Sequence, residues 1–273
     1  LVQGAALWGM ALLVEGGGDD AYAATCMSQA CALPGGFALL ADASGNDRYF
    51  AKGRHPTGYG DPGLFDGLSQ GCGFGLRDAM ASGGIALLAD ASGDDRYEAG
   101  HFSQGGGYYF GWGLLHDGTG DDAYLGSRYA QGFAAHQAVG FFEDGAGNDR
   151  YGTLQGVAQG CSWDETVAVF LERGGNDRYE GGTGFSQGAS AHNGFCLFLD
   201  YGGDDDYRSG NGQARSGPNE YHGGSSLSLF VDAGGGKDRY VKDKAEEAHD
   251  GAVSKIGEEG VLADLPGGMG MPP

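Results

Sequence analysis

Tyrosine returns on a fixed beat. Tyr22, Tyr49, Tyr97, Tyr124, Tyr151, Tyr179, Tyr207 and Tyr240 are separated by 27, 48, 27, 27, 28, 28 and 33 residues. Each closes a version of one turn, such as "DASGNDRYF" at 42–50, "DASGDDRYE" at 90–98 and "DGAGNDRYG" at 144–152. A glutamine keeps the same beat, as Gln3, Gln29, Gln70, Gln104, Gln131, Gln159, Gln187 and Gln213. Between the two markers lies a short apolar run, such as "ALLAD", "GFFED" or "CLFLD".

A repeat of this length restricts the fold. Runs of four or five apolar residues between glycines are strands, too short for helices. A two-helix repeat needs more residues and far less glycine. Here 58 of 273 residues are glycine, about three times ordinary usage. A propeller blade takes about 40 residues. One coil of a parallel β-solenoid fits instead. The sequence therefore predicts an all-β, right-handed parallel β-solenoid of about eight to nine coils with a repeat of about 27 residues, its handedness resting on the crossover preference. The solenoid spans 1–240, and an insertion at 51–68 accounts for most of the long gap after Tyr49. Residues 241–273 read as a C-terminal cap: a charged, helix-prone or irregular segment, one degenerate coil at "GVLADLPGG" and a flexible tail.

Stacked coils turn equivalent positions into columns. Four before each tyrosine stands Gly18, Gly45, Gly93, Gly120, Gly147, Gly175, Gly203 or Gly236, which implies positive φ or close backbone approach. The next residue is Asp or Asn in seven of eight units, types that tolerate the left-handed region. Two before each tyrosine is an aspartate, and a second acidic column ends each apolar run. Two carboxylates one strand spacing apart repel by about 3–4 kcal/mol at an effective dielectric near 20. Something must neutralise them. Ca²⁺, which takes six to eight oxygen ligands, is one agent. Its candidate ligands are Asp42, Asp47, Asp90, Asp95, Asp117, Asp122, Asp144, Asp149, Asp177, Asp200 and Asp205. The other agent is the arginine before the tyrosine in five units, with the aspartates capping turn amides.

Gly145, Gly147, Asp149 and Tyr151 match the G-x-G-x-D-x-U core of the RTX (repeats-in-toxin) calcium β-roll, and the turns around Asp95 and Asp122 match it in part. Over about seven residues per coil the chain resembles that family, whose repeats recur every nine residues rather than every 27. The resemblance implies Ca²⁺ held by aspartates and glycine carbonyls of successive coils, in a secreted protein.

The apolar run carries two large columns side by side, one through Leu39, Leu114 and Leu197, the next through Leu40, Leu115 and Phe198. Adjacent strand residues face opposite ways, so the first column points outward. Strands that are apolar on both faces are covered on both. This predicts a wall covered by a second copy, another protein partner or part of this chain. The alternative is a coil path that buries both columns internally.

Five residues after the glutamine marker, three consecutive coils carry His136, Asp164 and His192, with Glu165 beside them. Stacked, they offer an acid–base pair for a polysaccharide lyase or hydrolase, with a glycan as ligand, or an imidazole–carboxylate metal site. Chance alignment of polar loop residues is the plain alternative. Cys31 and Cys72 are aligned on consecutive coils at a spacing that suits a disulfide, and we read them as buried free thiols.

A formal net charge of −21 disfavours nucleic acid and anionic membranes as partners. No stretch has the apolar length of a membrane span. The chain enters in mid-pattern at Leu1, which reads as a processed or incomplete N-terminus. The sequence thus predicts a calcium-stabilised structural or binding module of a secreted, cell-surface or periplasmic protein, with the glycan-acting enzyme as the alternative.

Overall fold

The computed structural model describes residues 1–247, 249 and 251–266, and they form a β-solenoid of three parallel sheets. The apolar sheet has ten strands, beginning with Gly9–Val14 and Gly36–Asp42 and including Val139–Asp144 and Gly260–Asp264. The tyrosine sheet has nine, from Ala21–Ala24 to Arg239–Lys242 and Ala245–Glu247. A third sheet stacks six strands of two or three residues, from Cys31–Ala32 to Ser190–Ala191. A single 3-10 turn, Arg77–Ala79, is the only helical element among the described residues.

Register follows the repeat. Every anchor tyrosine is paired with the next, from Tyr22↔Tyr49 to Tyr207↔Tyr240. Their rings stack with centroids 4.6–5.1 Å apart and planes within 17°. Phe142, Phe170, Phe198 and Phe230 form a second stack, 4.6–4.7 Å between centroids. Seven of the tyrosines and all four phenylalanines are almost completely buried. Such pairs add about 0.5–1.5 kcal/mol each beyond the area they bury.

The two-residue alternation decides what enters the core. In Gly36–Asp42 the inward side chains are Ala38, Leu40 and Asp42, and Phe37, Leu39 and Ala41 face out. The same alternation holds in the neighbouring strands, so one large column is core and the other is a half-exposed outer wall. The path that would bury both columns internally is thereby excluded. No element of the described residues covers the wall.

The glutamine marker is a corner. Gln29, Gln70, Gln104, Gln131, Gln159 and Gln187 all have positive φ, and their side chains are buried. In five of the coils Nε2 donates to the carbonyl of the tyrosine seven or eight residues earlier: Gln29 to Tyr22 at 2.7 Å, Gln104 to Tyr97 at 3.5 Å, Gln131 to Tyr124 at 3.1 Å, Gln159 to Tyr151 at 3.2 Å and Gln187 to Tyr179 at 3.4 Å. Gln70, which the insertion separates from its tyrosine by 21 residues, makes the same contact to Tyr49 at 3.1 Å.

The insertion leaves the coil after Ala51, closes on itself through a Pro56–Phe65 bridge and rejoins as Asp66–Ser69, which pairs with His101–Ser103. Arg128 pins it, lying 4.7 Å from the Tyr59 ring centroid, 4.9 Å from that of Tyr129 and 3.5 Å from Asp61. Cys31 and Cys72 are register partners and both are free, buried thiols.

The C-terminal segment departs from expectation. The charged stretch forms no helix among the described residues. Ala245–Glu247 pairs antiparallel with Arg239–Lys242, and Val253–Ile256 pairs antiparallel with Gly260–Asp264. Lys, Glu and Ala favour helix in isolation, but the open edges of two sheets offer backbone partners that an isolated helix does not. The degenerate coil at 260–264 adds a ninth parallel strand, in register with Leu227–Asp232. The expected flexible tail at 269–273 lies outside the described residues.

Candidate metal centre

Alternation also aims the carboxylates. Asp42 follows inward Leu40 by two residues, and Asp47 precedes inward Tyr49 by two, so both enter the corner between the apolar and tyrosine sheets. Arg48 lies between Asp47 and Tyr49 and must face out. The arginines answer a different need. Arg96 lies 2.7 Å from Glu98, Arg150 3.1 Å from Glu180, and Arg239 3.5 Å from Asp206, all on the outer face. Arginine compensation of the inner columns is therefore wrong.

Glycine makes the corner tight enough to stack. A Cβ on Gly45, Gly93, Gly120, Gly147, Gly175, Gly203 or Gly236 would fall 1.4–1.7 Å from the carbonyl oxygen of the glycine one coil before. Close approach is the requirement shared by these seven; Gly18, in the first coil, meets no carbonyl there. The Asp or Asn that follows is not left-handed in any coil. Its side chain instead accepts the amide of its counterpart in the next coil, at 2.8–3.1 Å, from Asn46 on Asp19 to Lys237 on Asp204. This outer ladder is solvent-exposed.

An inner ladder runs beside it. The Oδ1 of each aspartate two before the tyrosine accepts the amide of its counterpart in the preceding coil, at 2.5–2.9 Å from Asp20→Asp47 to Asp205→Asp238. In the other acidic column, one oxygen takes the tyrosine hydroxyls. Tyr97 and Tyr124 both donate to Asp117, at 2.7 and 3.0 Å, and Tyr151 bridges Asp144 and Glu172. Tyr207 bridges Asp200 and Asp232 at 2.8 and 3.0 Å. Burial, helped by these carboxylates, pushes the phenols far above their ordinary range, so the tyrosines remain donors.

The two acidic columns also converge on each other. Ligand atoms of Asp122, Asp144 and Asp149 lie within 4.8 Å of one another, as do those of Asp42, Asp47 and Asp90, of Asp90, Asp95 and Asp117, and of Asp149, Glu172 and Asp177. In the first triad Asp122 Oδ2, Asp144 Oδ1 and Asp149 Oδ2 are all buried without a hydrogen-bond partner. Asp95 Oδ2, Asp117 Oδ1 and Asp177 Oδ2 are in the same state. Burial raises these groups, and neighbouring carboxylates add to it in all but Asp144: Asp47 and Asp144 to about 6, Asp95 and Asp177 to about 8, Asp122 and Asp149 to about 9, Asp205 to about 10. Asp90, Asp117 and Glu172 move in the same direction for the same reasons, and Asp200 does so by burial alone. At neutral pH the corner therefore holds protons or a cation. An all-oxygen donor set with no thiolate or imidazole suits Ca²⁺ over zinc or copper. Glu15, Asp20 and Glu172 belong to the clusters as well. Their place in the columns was the available signal.

Comparison with protein-family models, with curated proteins and with solved structures finds no match. The site's own geometry is what speaks for its chemistry.

The second group of candidates is only partly assembled. His136 Nδ1 lies 2.7 Å from Asp164 Oδ2, and its Nε2 lies 3.1 Å from Arg77. Arginine can only donate, so Nε2 accepts and the Nδ1 proton goes to Asp164. Burial holds His136 below its ordinary range. His192 does not join them: it stacks on Tyr221 at 3.8 Å and takes the Glu220 amide. Glu165 accepts from Gln137 on the exposed surface. The other oxygen of Asp164 lies 3.2 Å from His222, which no periodic position announces.

Proposed function

We propose that this chain is a calcium-stabilised structural and binding solenoid of a secreted or cell-surface protein, with Ca²⁺ held in the corner between the apolar and tyrosine sheets. The observation that carries this is the triad Asp122, Asp144 and Asp149, whose ligand oxygens lie within 4.8 Å of one another and each of which has one buried carboxylate oxygen without a hydrogen-bond partner. Hydrogen bonds already occupy the opposite oxygens of Asp122 and Asp149, which fixes the free ones in place. A cation there would replace the mutual repulsion of the columns with attraction at each rung. The RTX-like residues Gly147, Asp149 and Tyr151 lie in this same rung. The millimolar calcium of extracellular modules suits sites built from several carboxylates and little solvent. The apolar wall supplies the binding surface.

The deciding experiment is thermal unfolding in Ca²⁺, in Mg²⁺ and in EDTA. Ca²⁺ at 100 times its dissociation constant stabilises by about 2.7 kcal/mol per site, so a rise of many degrees is expected. Identical melting in all three removes calcium from the proposal.

One observation favours a second reading. Asp164 holds His136 in the tautomer a general base needs, with the Nε2 lone pair toward Arg77. Chain cleavage of a panel of acidic and neutral glycans, lost in His136→Ala, would support an enzyme. No cleavage would leave this cluster structural.

A further inference from the structure

Eight parallel strands of the apolar sheet, from Gly9–Val14 to Leu227–Asp232, each present three side chains outward. Of these twenty-four positions only His116 and Glu143 are polar. Both stand at the C-terminal ends of their strands, along one rim, where they lie 3.3 Å apart and Glu143 also takes Arg173. The centre of the wall is uncharged and the opposite rim carries Ile85, Trp112, Val167 and Leu227, all exposed, Trp112 by 57 %. At about 4.8 Å per strand and about 3.3 Å per residue the wall measures roughly 40 by 20 Å, or about 800 Å². Apolar patches on monomers rarely exceed a few hundred Å².

We propose that the occupant of this wall is a second copy of the same chain, packed face to face about a two-fold axis parallel to the solenoid. This deepens the binding-module reading above by naming its partner. Three observations select a second copy. The area and the twenty-four residues match one side of a standard stable dimer interface, about 800 Å² and 20–30 residues. The wall has an apolar centre and a polar rim, as such interfaces do. Charge decides the rest. The wall brings one carboxylate, already paired, although the chain carries a net −21, so two walls meet without repulsion. A two-fold along the solenoid axis reverses strand direction across the interface. The acidic corner of each copy then lies over the other copy's opposite rim, and the carboxylate columns stay apart. Twisted sheets packed this way cross at about 30°.

Sedimentation equilibrium between about 1 and 100 µM tests this, in Ca²⁺ and in EDTA. The expected species is a dimer of twice 28.0 kDa. The double variant Leu114→Lys/Leu197→Lys, outward at the wall centre, should melt cooperatively yet dimerise at least tenfold more weakly. If it does not fold, Trp112→Lys at the exposed rim gives the same reading. A wild-type monomer at 100 µM in both buffers overturns the proposal, and so does a folded wall variant that dimerises like wild type. The calcium reading fails separately: a dimer whose melting ignores Ca²⁺ removes calcium and leaves the dimer. A Ca²⁺-stabilised monomer does the reverse.

Discussion

Two polar ladders run inside this solenoid, and they solve burial differently. At the glutamine corner each buried amide donates to backbone carbonyls, as Gln131 does to Tyr124 and to Gly152 at 3.1 Å. Neighbouring amides also donate to one another, as Gln104 does to Gln70 at 3.1 Å. At the acidic corner the ladder from Asp20 to Asp238 satisfies backbone amides just as well, yet leaves oxygens of Asp95, Asp122, Asp149 and Asp177 without partners. Both ladders are polar, buried and periodic. Only the second is charged. The neutral ladder leaves acceptors idle as well, the Oε1 of Gln104, Gln131, Gln159 and Gln213, but an idle amide oxygen carries no charge, whereas a column of carboxylates needs an added proton or cation at each rung.

The comparison can be broken in graded steps. Gly120→Ala should have the largest effect, because its Cβ would sit 1.5 Å from the Gly93 carbonyl at the turn of the acidic corner. Loss of cooperative folding, or more than about 4 kcal/mol, is expected in chemical denaturation. Gln131→Ala comes next. It empties buried volume and strips a donor from two carbonyls, at a cost of about 2–4 kcal/mol that is the same with and without Ca²⁺. A calcium-dependent penalty there would merge the two corners into one system.

Asp149→Asn separates them most sharply. The Oδ1 that accepts the Asp122 amide has a counterpart in asparagine, which needs no proton to be neutral when buried and offers no charge to a cation. In EDTA at pH 8 the variant should be more stable than wild type by about 1 kcal/mol, and in saturating Ca²⁺ less stable by a similar amount. Parallel shifts in both buffers would contradict a cation at this rung.

The pH dependence follows from the raised carboxyls. With Asp95 and Asp177 at about 8 and Asp122 at about 9, against 3.8 in the unfolded chain, the folded state binds extra protons across that window. Their contribution to metal-free stability is full below about pH 4 and is lost as pH rises through 8–9. Melting in EDTA should therefore fall from pH 5 to pH 9. The increment from Ca²⁺, which binds the ionised form, should grow over the same range. Arg150→Ala closes the series with less than about 1 kcal/mol, since its pair with Glu180 is exposed and screened. A larger loss would return arginine to the neutralisation of the columns.

Much of this was legible before the structure. The tyrosine beat placed every coil, and the acidic columns were read in the right positions. Reading failed where neighbours rather than spacing decide. The Asp and Asn beside each turn glycine suggested left-handed backbone. Stacking offers their side chains an amide one coil away, so no unusual φ is needed. The segment after Tyr240 looked helical from composition, and it became two antiparallel edge strands because the last coil left unpaired backbone beside it. His192 shares a column with His136 and Asp164, but Tyr221 captures its ring and His222 arrives at Asp164 from an off-beat loop.

The sequence by itself determined the solenoid, its repeat and the identity of its columns, because a period of two within strands and of about 27 between coils assigns each residue a face and a height. Only the tertiary structure decided which oxygens of those carboxylates are spent on amides and phenols and which are left to face one another. That choice depends on side chains 20 to 30 residues away meeting within 3 Å, a distance that no spacing along the chain encodes.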